Sequence, residues 1–244
     1  MKQYRAYIFD LYGTLVDIHT DERKGELWDA MRWPFFFNGA RYQGKELYDA
    51  YFQEISRREE EGRKETGREV EIDILDVFRQ LYYDKGVNIS DRKVIKTALQ
   101  FRKKSRTRLR MYAGAKELLR ELRKKGKEIY LLSNAQAVFT NAELKELGID
   151  CIFKKIYLSS DFGYKKPDEL FFEAVLTENG LLPEECLMIG NDLYSDVLGA
   201  TRVGMDSYFI RSGLSPKADY PVSPTYSQSG MNIATLRKRI FSKD

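Results

Sequence analysis

The 244-residue chain has one histidine, two cysteines and no apolar run long enough to span a bilayer. Cys151 and Cys186 follow no metal-ligand spacing and give no disulfide framework, which is typical of a reducing compartment. A lone histidine excludes histidine-rich metal sites, and a Ser–His or Cys–His hydrolase would require His19 as its base. The N-terminus lacks a secretory apolar segment, so we predict a cytoplasmic protein that does not bind membranes.

Excess charge of one sign is also small. The net charge is +4 with 32% charged residues, and acidic and basic residues are interleaved, as in residues 57–61 and 117–127. Interleaved charges of this kind are typical of solvated helix faces. We therefore predict a chain that does not bind nucleic acid. The sequence leaves open whether the protein is a monomer or a homodimer.

The stretch from Tyr4 to Asp17 carries the first chemical signal. Its apolar, aromatic and β-branched run ends at Phe9 and predicts a buried strand. Asp10 follows directly, then Gly13, which lets the backbone approach a ligand closely, and Thr14, whose hydroxyl can orient an anion. A carboxylate at the carboxyl end of a strand lies where open α/β sheets bind ligands.

Residues 18–107 change to a helical pattern of caps, apolar residues at three and four spacing, and many charges. Helices are predicted over Asp21–Met31, Gly44–Gly62, Glu71–Tyr83 and Asp91–Lys104. An insert of this length between two strands exceeds an ordinary crossover and indicates a small second domain. For the aromatic stretch from Trp33 to Phe37 we favour a hydrophobic seam between insert helices or against the core over a substrate-binding role.

After the insert, helices and strands alternate. Helices are predicted over 115–125, 137–147, 168–179, 195–203 and 233–241, and strands over 128–133, 155–158, 186–189 and 206–210. Buried strands in such alternation favour an α/β fold with a parallel sheet covered on both faces. The segment 213–232 is predicted to be an irregular surface excursion.

Polar side chains follow the strands of this predicted sheet. Ser133-Asn134 lies just before a helix N-terminus, where backbone N–H groups favour an anion. Lys166 precedes a proline, so it is held extended and projects from its loop. Asp192 and Asp196 follow a glycine turn. Each residue alone has a structural explanation, but together at successive strand ends they indicate one site.

In this arrangement the sequence resembles the haloacid dehalogenase (HAD) superfamily. The four matching segments are Asp10-Leu-Tyr12-Gly-Thr14, Ser133, Lys166-Pro167 and Asp192 to Asp196, and the insert is similar to the helical cap of many members. The resemblance implies a Rossmann-like core over residues 1–17 and 108–244, with a cap over 18–107 that closes over the site.

The resemblance also implies roles for these residues. Asp10 would be the nucleophile, forming an aspartyl ester that water hydrolyses, and Lys166 would keep Asp10 ionised and neutralise charge on a small anionic substrate. The transferred group would be cradled by backbone N–H groups and by a set of phosphate-binding residues. That set consists of Gly13, Thr14, Ser133 and Asn134.

In the phosphatase branch of the family the cofactor is Mg²⁺. The resemblance places it between Asp10, the backbone carbonyl of Tyr12 and an acid of the fourth segment. Asp192 is the first choice, with Asp196 as a ligand directly or through water. The family's longer version of this segment has its acid five residues before the last Asp, and Asn191 stands there in this chain.

Tyr12 departs from the phosphatase pattern, which has an aspartate at this position as general acid and base. A tyrosine is a poor base at neutral pH and is similar to the pattern of metal-independent 2-haloacid dehalogenases. The dehalogenase reading also gains from Ser133-Asn134, whereas the acidic turn at Asp192 favours Mg²⁺-dependent phosphate-ester hydrolysis, our first hypothesis.

Two further points stay open. Arg32 and Arg41 lie where a cap arginine would meet a carboxylate or halide, although we favour solvated loop positions for them. The third hypothesis is a member of the fold that binds a ligand or a protein partner with little turnover.

Overall fold

A computed structural model describes residues 1–68, 70–217 and 220–242. The strands are β1 (Ala6–Phe9), β2 (Val16–Thr20), β3 (Arg106–Met111), β4 (Glu128–Ser133), β5 (Lys155–Leu158), β6 (Cys186–Gly190), β7 (Asp206–Ile210) and β8 (Tyr226–Gln228). The helices are α1 (Gly25–Phe37), α2 (Gly44–Thr66), α3 (Ile74–Tyr83), α4 (Asp91–Ser105), α5 (Ala115–Lys124), α6 (Ala137–Leu147), α7 (Glu169–Asn179), α8 (Gly199–Arg202) and α9 (Ile233–Phe241).

Six strands form one parallel sheet in the order β5-β4-β1-β6-β7-β8, with β1 near its centre. All four residues of β1 are buried, since successive side chains enter the two hydrophobic layers on opposite faces. Tyr7 and Phe9 pack in the layer with α5 and α9, and Ala6 and Ile8 pack in the layer with α7. The predicted α/β fold with a parallel sheet is confirmed.

Helices α1 to α4 form a separate cap with its own aromatic core. Trp28, Tyr51 and Phe101 are buried there with ring centroids 4.9 to 5.4 Å apart. Phe139, from α6 of the sheet domain, joins this cluster at 6.4 Å from Phe101. The cap therefore rests on the N-terminal part of α6.

An antiparallel ladder between β2 and β3 links the cap to the sheet domain. The sequence pattern did not predict these strands, and the predicted domain boundaries after residues 17 and 107 fall inside them. Arg108 and Arg110 on β3 both pair with Asp17 on β2, at 3.1 and 2.8 Å. Two paired strands give the cap a connection stiffer than two separate linkers.

The predicted hydrophobic seam at residues 33–37 is wrong for three of its aromatic residues. Helix α1 starts later than predicted and continues through Pro34, so Trp33, Phe36 and Phe37, spaced three and four residues apart, share the solvent face of its last turns. Only Phe35 is buried, stacked on Tyr82 with ring centroids 4.4 Å apart. The exposed residues are Trp33, Phe36 and Phe37.

Other differences concern element ends. Within the segment predicted to be irregular, residues 226–228 form β8, which extends the sheet beside β7. Helix α2 runs past Gly62 to Thr66, and α3 begins at Ile74 because the Asp73 carboxylate accepts a hydrogen bond from the backbone N–H of Leu75 at 2.8 Å. Over residues 1–68, 70–217 and 220–242, the structure contains no helix with the length and apolar character that crossing a membrane requires.

Candidate active site

Asp10 lies at the carboxyl end of β1, and three side chains converge on its carboxylate. Lys166 Nζ lies 2.9 Å from Oδ1, and the Ser133 hydroxyl donates to the same oxygen at 3.3 Å. Thr14 Oγ1 lies 3.2 Å from Oδ2. The ends of β1 and β4 and the loop after β5 therefore deliver Asp10, Ser133 and Lys166 to one point, as the parallel topology predicts.

Lys166 is buried between two carboxylates. Its ammonium group contacts Asp10 Oδ1, Asp196 Oδ1 at 2.6 Å and the Leu132 carbonyl at 2.8 Å, so all three donors are used. Burial acts to lower the pKa of Lys166, but the charges of Asp10 and Asp196 raise it overall. Lys166 is therefore a fixed positive charge beside Asp10.

Asp196 binds Lys166 and is itself held by the backbone of the turn after β6. Its Oδ2 accepts hydrogen bonds from the backbone N–H groups of Asn191 and Asp192, both at 3.0 Å. Complete burial raises the pKa of Asp196 to about 6, although Lys166 acts to lower it. Gly190 permits this approach, because a Cβ there would lie 2.1 Å from Asp196 Oδ2. The carboxylate is thus fully occupied by Lys166 and the turn.

The turn after β1 brings Asn191 close to Asp10. Gly13 adopts φ +86°, and a Cβ on it would lie 2.4 Å from Asn191 Nδ2, so only glycine allows this contact. Asn191 is buried, and its Oδ1 lies 3.2 Å from Thr14 Oγ1, the hydroxyl that also contacts Asp10 Oδ2. The side chain of Asn191 therefore shares Thr14 with Asp10.

Asp192, predicted as the first metal ligand, caps the following π-helical turn. Its carboxylate accepts from the Tyr194 backbone N–H and the Ser195 hydroxyl, both at 2.9 Å. In the part of the chain that the structure describes, no three acidic, histidine or cysteine side chains gather at one point. The Asp10 carboxylate, the Asn191 amide oxygen and the main-chain carbonyl of Tyr12 would supply an all-oxygen donor set, which suits a hard cation such as Mg²⁺.

Asn134 positions the loop that carries Lys166. Its Oδ1 accepts from the Lys166 backbone N–H at 2.8 Å, and its Nδ2 donates to the Lys166 carbonyl at 2.9 Å. Both polar atoms of the side chain predicted to bind phosphate are therefore engaged by the backbone of Lys166. His19 lies on β2, exposed, with Nδ1 2.8 Å from Thr107 Oγ1.

Tyr12 directs its hydroxyl toward α6. The hydroxyl donates a short hydrogen bond to Glu143 and lies 3.1 Å from Thr140 Oγ1. Burial, with the charge of Glu143, raises the pKa of Tyr12 above its ordinary value. A hydroxyl that is held and hard to ionise is a poor general base.

Glu143 is the centre of an ionic cluster that the sequence pattern did not reveal. Its side chain is 2% exposed and pairs with Arg102 of α4 at 2.7 Å and Arg106 of β3 at 3.3 Å. Arg102 and Arg106 belong to a basic run that is typical of a solvated helix end. Only the tertiary fold brings them close to Glu143 on α6. We call Glu143, Tyr12, Arg102 and Arg106 the hinge cluster.

A cavity of about 390 Å³ opens between cap and core beside this cluster. Tyr12 and Asn134, neighbours of the convergent residues, form its core side, and Glu22, Glu71 and Arg102 are among its cap residues. A cavity of this size accommodates a small molecule. A larger cavity of about 790 Å³ lies between α1 and α4 and is lined only by cap residues.

Arg32 and Arg41 do not line the cavity beside Tyr12. Arg32 lies over the ring of Trp33 at 4.9 Å, and Arg41 lies over the ring of Phe36 at 5.7 Å. Both rings are exposed on the cap surface. The arginine of the cavity is Arg102, which sequence reasoning missed.

A family model described as haloacid dehalogenase-like hydrolase matches residues 4–204. Among curated proteins, the glyceraldehyde 3-phosphate phosphatase of Methanothermobacter thermautotrophicus is 33% identical over 107 residues, covering 44% of this chain and 47% of that protein. The chain thus spans about half the length of the curated relatives it matches.

Solved structures resemble this chain over nearly its whole length. The HAD-hydrolase YfnB of Bacillus subtilis, bound to magnesium, has a TM-score of 0.57 at 22% identity and covers 99% of this chain and 100% of its own. A dehalogenase has a TM-score of 0.61 at 18% identity, with complete coverage of both chains. At these identities the likeness establishes the fold. Because the family model spans both the sheet domain and the cap, the chain belongs to the haloacid dehalogenase-like hydrolases.

Proposed function

We propose that this hydrolase cleaves a small phosphate monoester with Asp10 as the nucleophile and Mg²⁺ as the cofactor. The observation that carries the proposal is the buried Lys166, which contacts Asp10 Oδ1 at 2.9 Å and Asp196 Oδ1 at 2.6 Å. This arrangement fixes a carboxylate and a positive charge side by side at the edge of the sheet. Similarity to proteins named phosphatases supports the choice of a phosphate ester.

The proposed reaction has two steps, formation of an aspartyl phosphate and its hydrolysis. A carboxylate oxygen of Asp10 attacks phosphorus, the bond to the alcohol oxygen breaks, and the alcohol leaves with a proton from solvent. Water then attacks the aspartyl phosphate and releases inorganic phosphate and the free carboxylate. Lys166 and the hydroxyls of Thr14 and Ser133 stabilise the charge that develops on the transferred group.

Mg²⁺ would be held by Asp10, the main-chain carbonyl of Tyr12 and an oxygen from the turn after β6. It would neutralise charge on the phosphoryl oxygens. The charge of Asp196 is already paired with Lys166. If the turn after β6 supplied the amide oxygen of Asn191, Asp10 would therefore be the main anionic ligand of the ion. Asp192 is the alternative ligand. To bind the ion, its carboxylate would have to release the hydrogen bonds from Tyr194 and Ser195.

The two ligand candidates predict different magnesium responses. If Asn191 binds the ion, N191A should raise the Mg²⁺ concentration for half-maximal activity about tenfold or more, because loss of a group that only supports a metal ligand already costs about 10- to 100-fold. D192N should raise it less than about threefold, because an asparagine still caps the turn. Titration of phosphate release with MgCl₂ for both variants checks this, and the reverse order would assign the ligand to Asp192.

The contacts of Tyr12 predict a modest effect of removing its hydroxyl. Y12F should reduce kcat less than about threefold, whereas loss of a general acid or base typically costs on the order of 10²- to 10⁴-fold. T140V, which removes the other hydroxyl that contacts Tyr12, is the matched control. Steady-state rates decide the question, and a 10²-fold loss in Y12F alone would make Tyr12 a proton donor.

The reaction class is tested by measuring products from two panels, phosphate monoesters and 2-haloacids, with Mg²⁺ or with EDTA. The proposal predicts phosphate release that requires Mg²⁺ and is absent from D10N. Halide release unaffected by EDTA would instead establish the dehalogenase alternative, which Tyr12 favours. Silence in both panels would favour the binding role.

A further inference from the structure

The cavity between cap and core has an unusual charge balance. Three carboxylates line it, from Glu22, Glu59 and Glu71, and Arg102 is its one cationic lining residue among those that the structure describes. The guanidinium of Arg102 is already paired with Glu143, at 2.7 and 3.3 Å. The walls next to the proposed phosphate site therefore carry net negative charge.

The three carboxylates differ in how far the protein compensates their charge. Among the described residues, Glu59 has no hydrogen-bond or ion-pair partner. Its negative charge repels that of Glu71 and raises the pKa of Glu71. Glu71 accepts from Ser159 at 2.6 Å and Gln136 at 2.9 Å, both neutral groups, and Lys165 approaches it without lining the cavity. Glu22 is compensated in part, because the Tyr51 hydroxyl donates a hydrogen bond to it and Arg102 is close; burial still raises the pKa of both Glu22 and Glu71.

A cavity wall with net negative charge attracts a cation and repels a second anion. The phosphoryl group of a substrate would be held at Lys166, so the rest of the molecule must extend toward the cavity past Tyr12 and Asn134. Building on the proposed function, we propose that the preferred substrate is a phosphate monoester whose alcohol part carries an ammonium group, bound by the two neighbouring carboxylates of Glu59 and Glu71.

The test compares three esters that differ at one group. These are 2-aminoethyl phosphate, propyl phosphate, in which a methyl group replaces the ammonium, and phosphoglycolate, which has a carboxylate. Hydrogen bonds to a charged group are worth about 1.5–3 kcal/mol. We therefore expect kcat/KM for 2-aminoethyl phosphate to exceed that for propyl phosphate by about tenfold or more, with phosphoglycolate lowest. Equal values for 2-aminoethyl and propyl phosphate, or a preference for phosphoglycolate, would overturn the proposal.

Variants connect the preference to the cavity. E59Q removes a carboxylate that has no protein partner, so the fold should be retained, and the ratio of kcat/KM for 2-aminoethyl over propyl phosphate should fall about threefold or more. E60Q is the matched control, because Glu60 is exposed and pairs with Lys64 at 2.7 Å. An unchanged ratio in E59Q, or an equal fall in E60Q, would contradict the assignment.

p-Nitrophenyl phosphate separates the two levels of the proposal. If the enzyme releases phosphate from this activated ester but does not prefer the ammonium ester, only the substrate assignment fails. If none of the esters is hydrolysed with Mg²⁺ present, the proposed function fails and the substrate assignment fails with it.

Discussion

Replacing Lys166 with methionine is expected to abolish turnover and to destabilise the fold. The ammonium group lies between Asp10 and Asp196 with 1% of its side chain exposed, so its loss leaves two adjacent carboxylates without a counter-charge. Breaking a buried ion pair by removing one partner costs about 3–5 kcal/mol. Loss of electrostatic stabilisation should lower kcat by about 10³-fold or more.

The double variant K166M/D196N separates the two effects. Removing the charge of Asp196 relieves the repulsion, so urea unfolding should show that much of the lost stability returns. Activity should not return, because Asp10 still lacks its cation. A K166M variant as stable as the wild type, or an active double variant, would show that Lys166 does not have this role.

Replacing Glu143 with alanine should destabilise the protein through the hinge cluster. Arg102 and Arg106 are 14% and 17% exposed, and both would lose their shared partner, as would the Tyr12 hydroxyl. We expect a loss of about 3 kcal/mol in the free energy of unfolding, the lower end for a buried pair because both arginines reach some solvent.

The matched control is E146A, which removes the exposed carboxylate that Arg106 also contacts at 2.8 Å. Exposed ion pairs contribute about 0–1 kcal/mol, so this variant should remain near wild-type stability. Thermal or urea unfolding of both variants gives the comparison. Equal losses in the two variants would argue against a special contribution from Glu143.

The sequence predicted the elements whose pattern is local. Strands β1, β4 and β6 are nearly all apolar because they are buried on both faces, so their ends could be located and the polar residues after them assigned to one edge. This reasoning, with the family resemblance, is why Asp10, Ser133 and Lys166 were expected together.

Features that depend on distant contacts escaped prediction. Glu143 is separated from Tyr12 by 131 positions, and no spacing rule connects it to Arg102 on the cap. The Asp192 carboxylate points toward the backbone N–H of Tyr194, which it caps, and Asn191 is the residue of this turn that packs against Gly13. A sequence pattern does not determine which of the two side chains takes which position. Trp33, Phe36 and Phe37 look like core residues by composition, but the register of α1 exposes them.

The most direct test of the account is whether Asp10 becomes phosphorylated. Enzyme mixed with a radiolabelled phosphate monoester and Mg²⁺ is quenched with acid within the first turnover, digested, and analysed for label by mass spectrometry. We predict label on the peptide that contains Asp10, none when EDTA replaces Mg²⁺, and neither label nor turnover in D10N. Full turnover by D10N would contradict the central claim, because hydrolysis would then proceed without the Asp10 carboxylate.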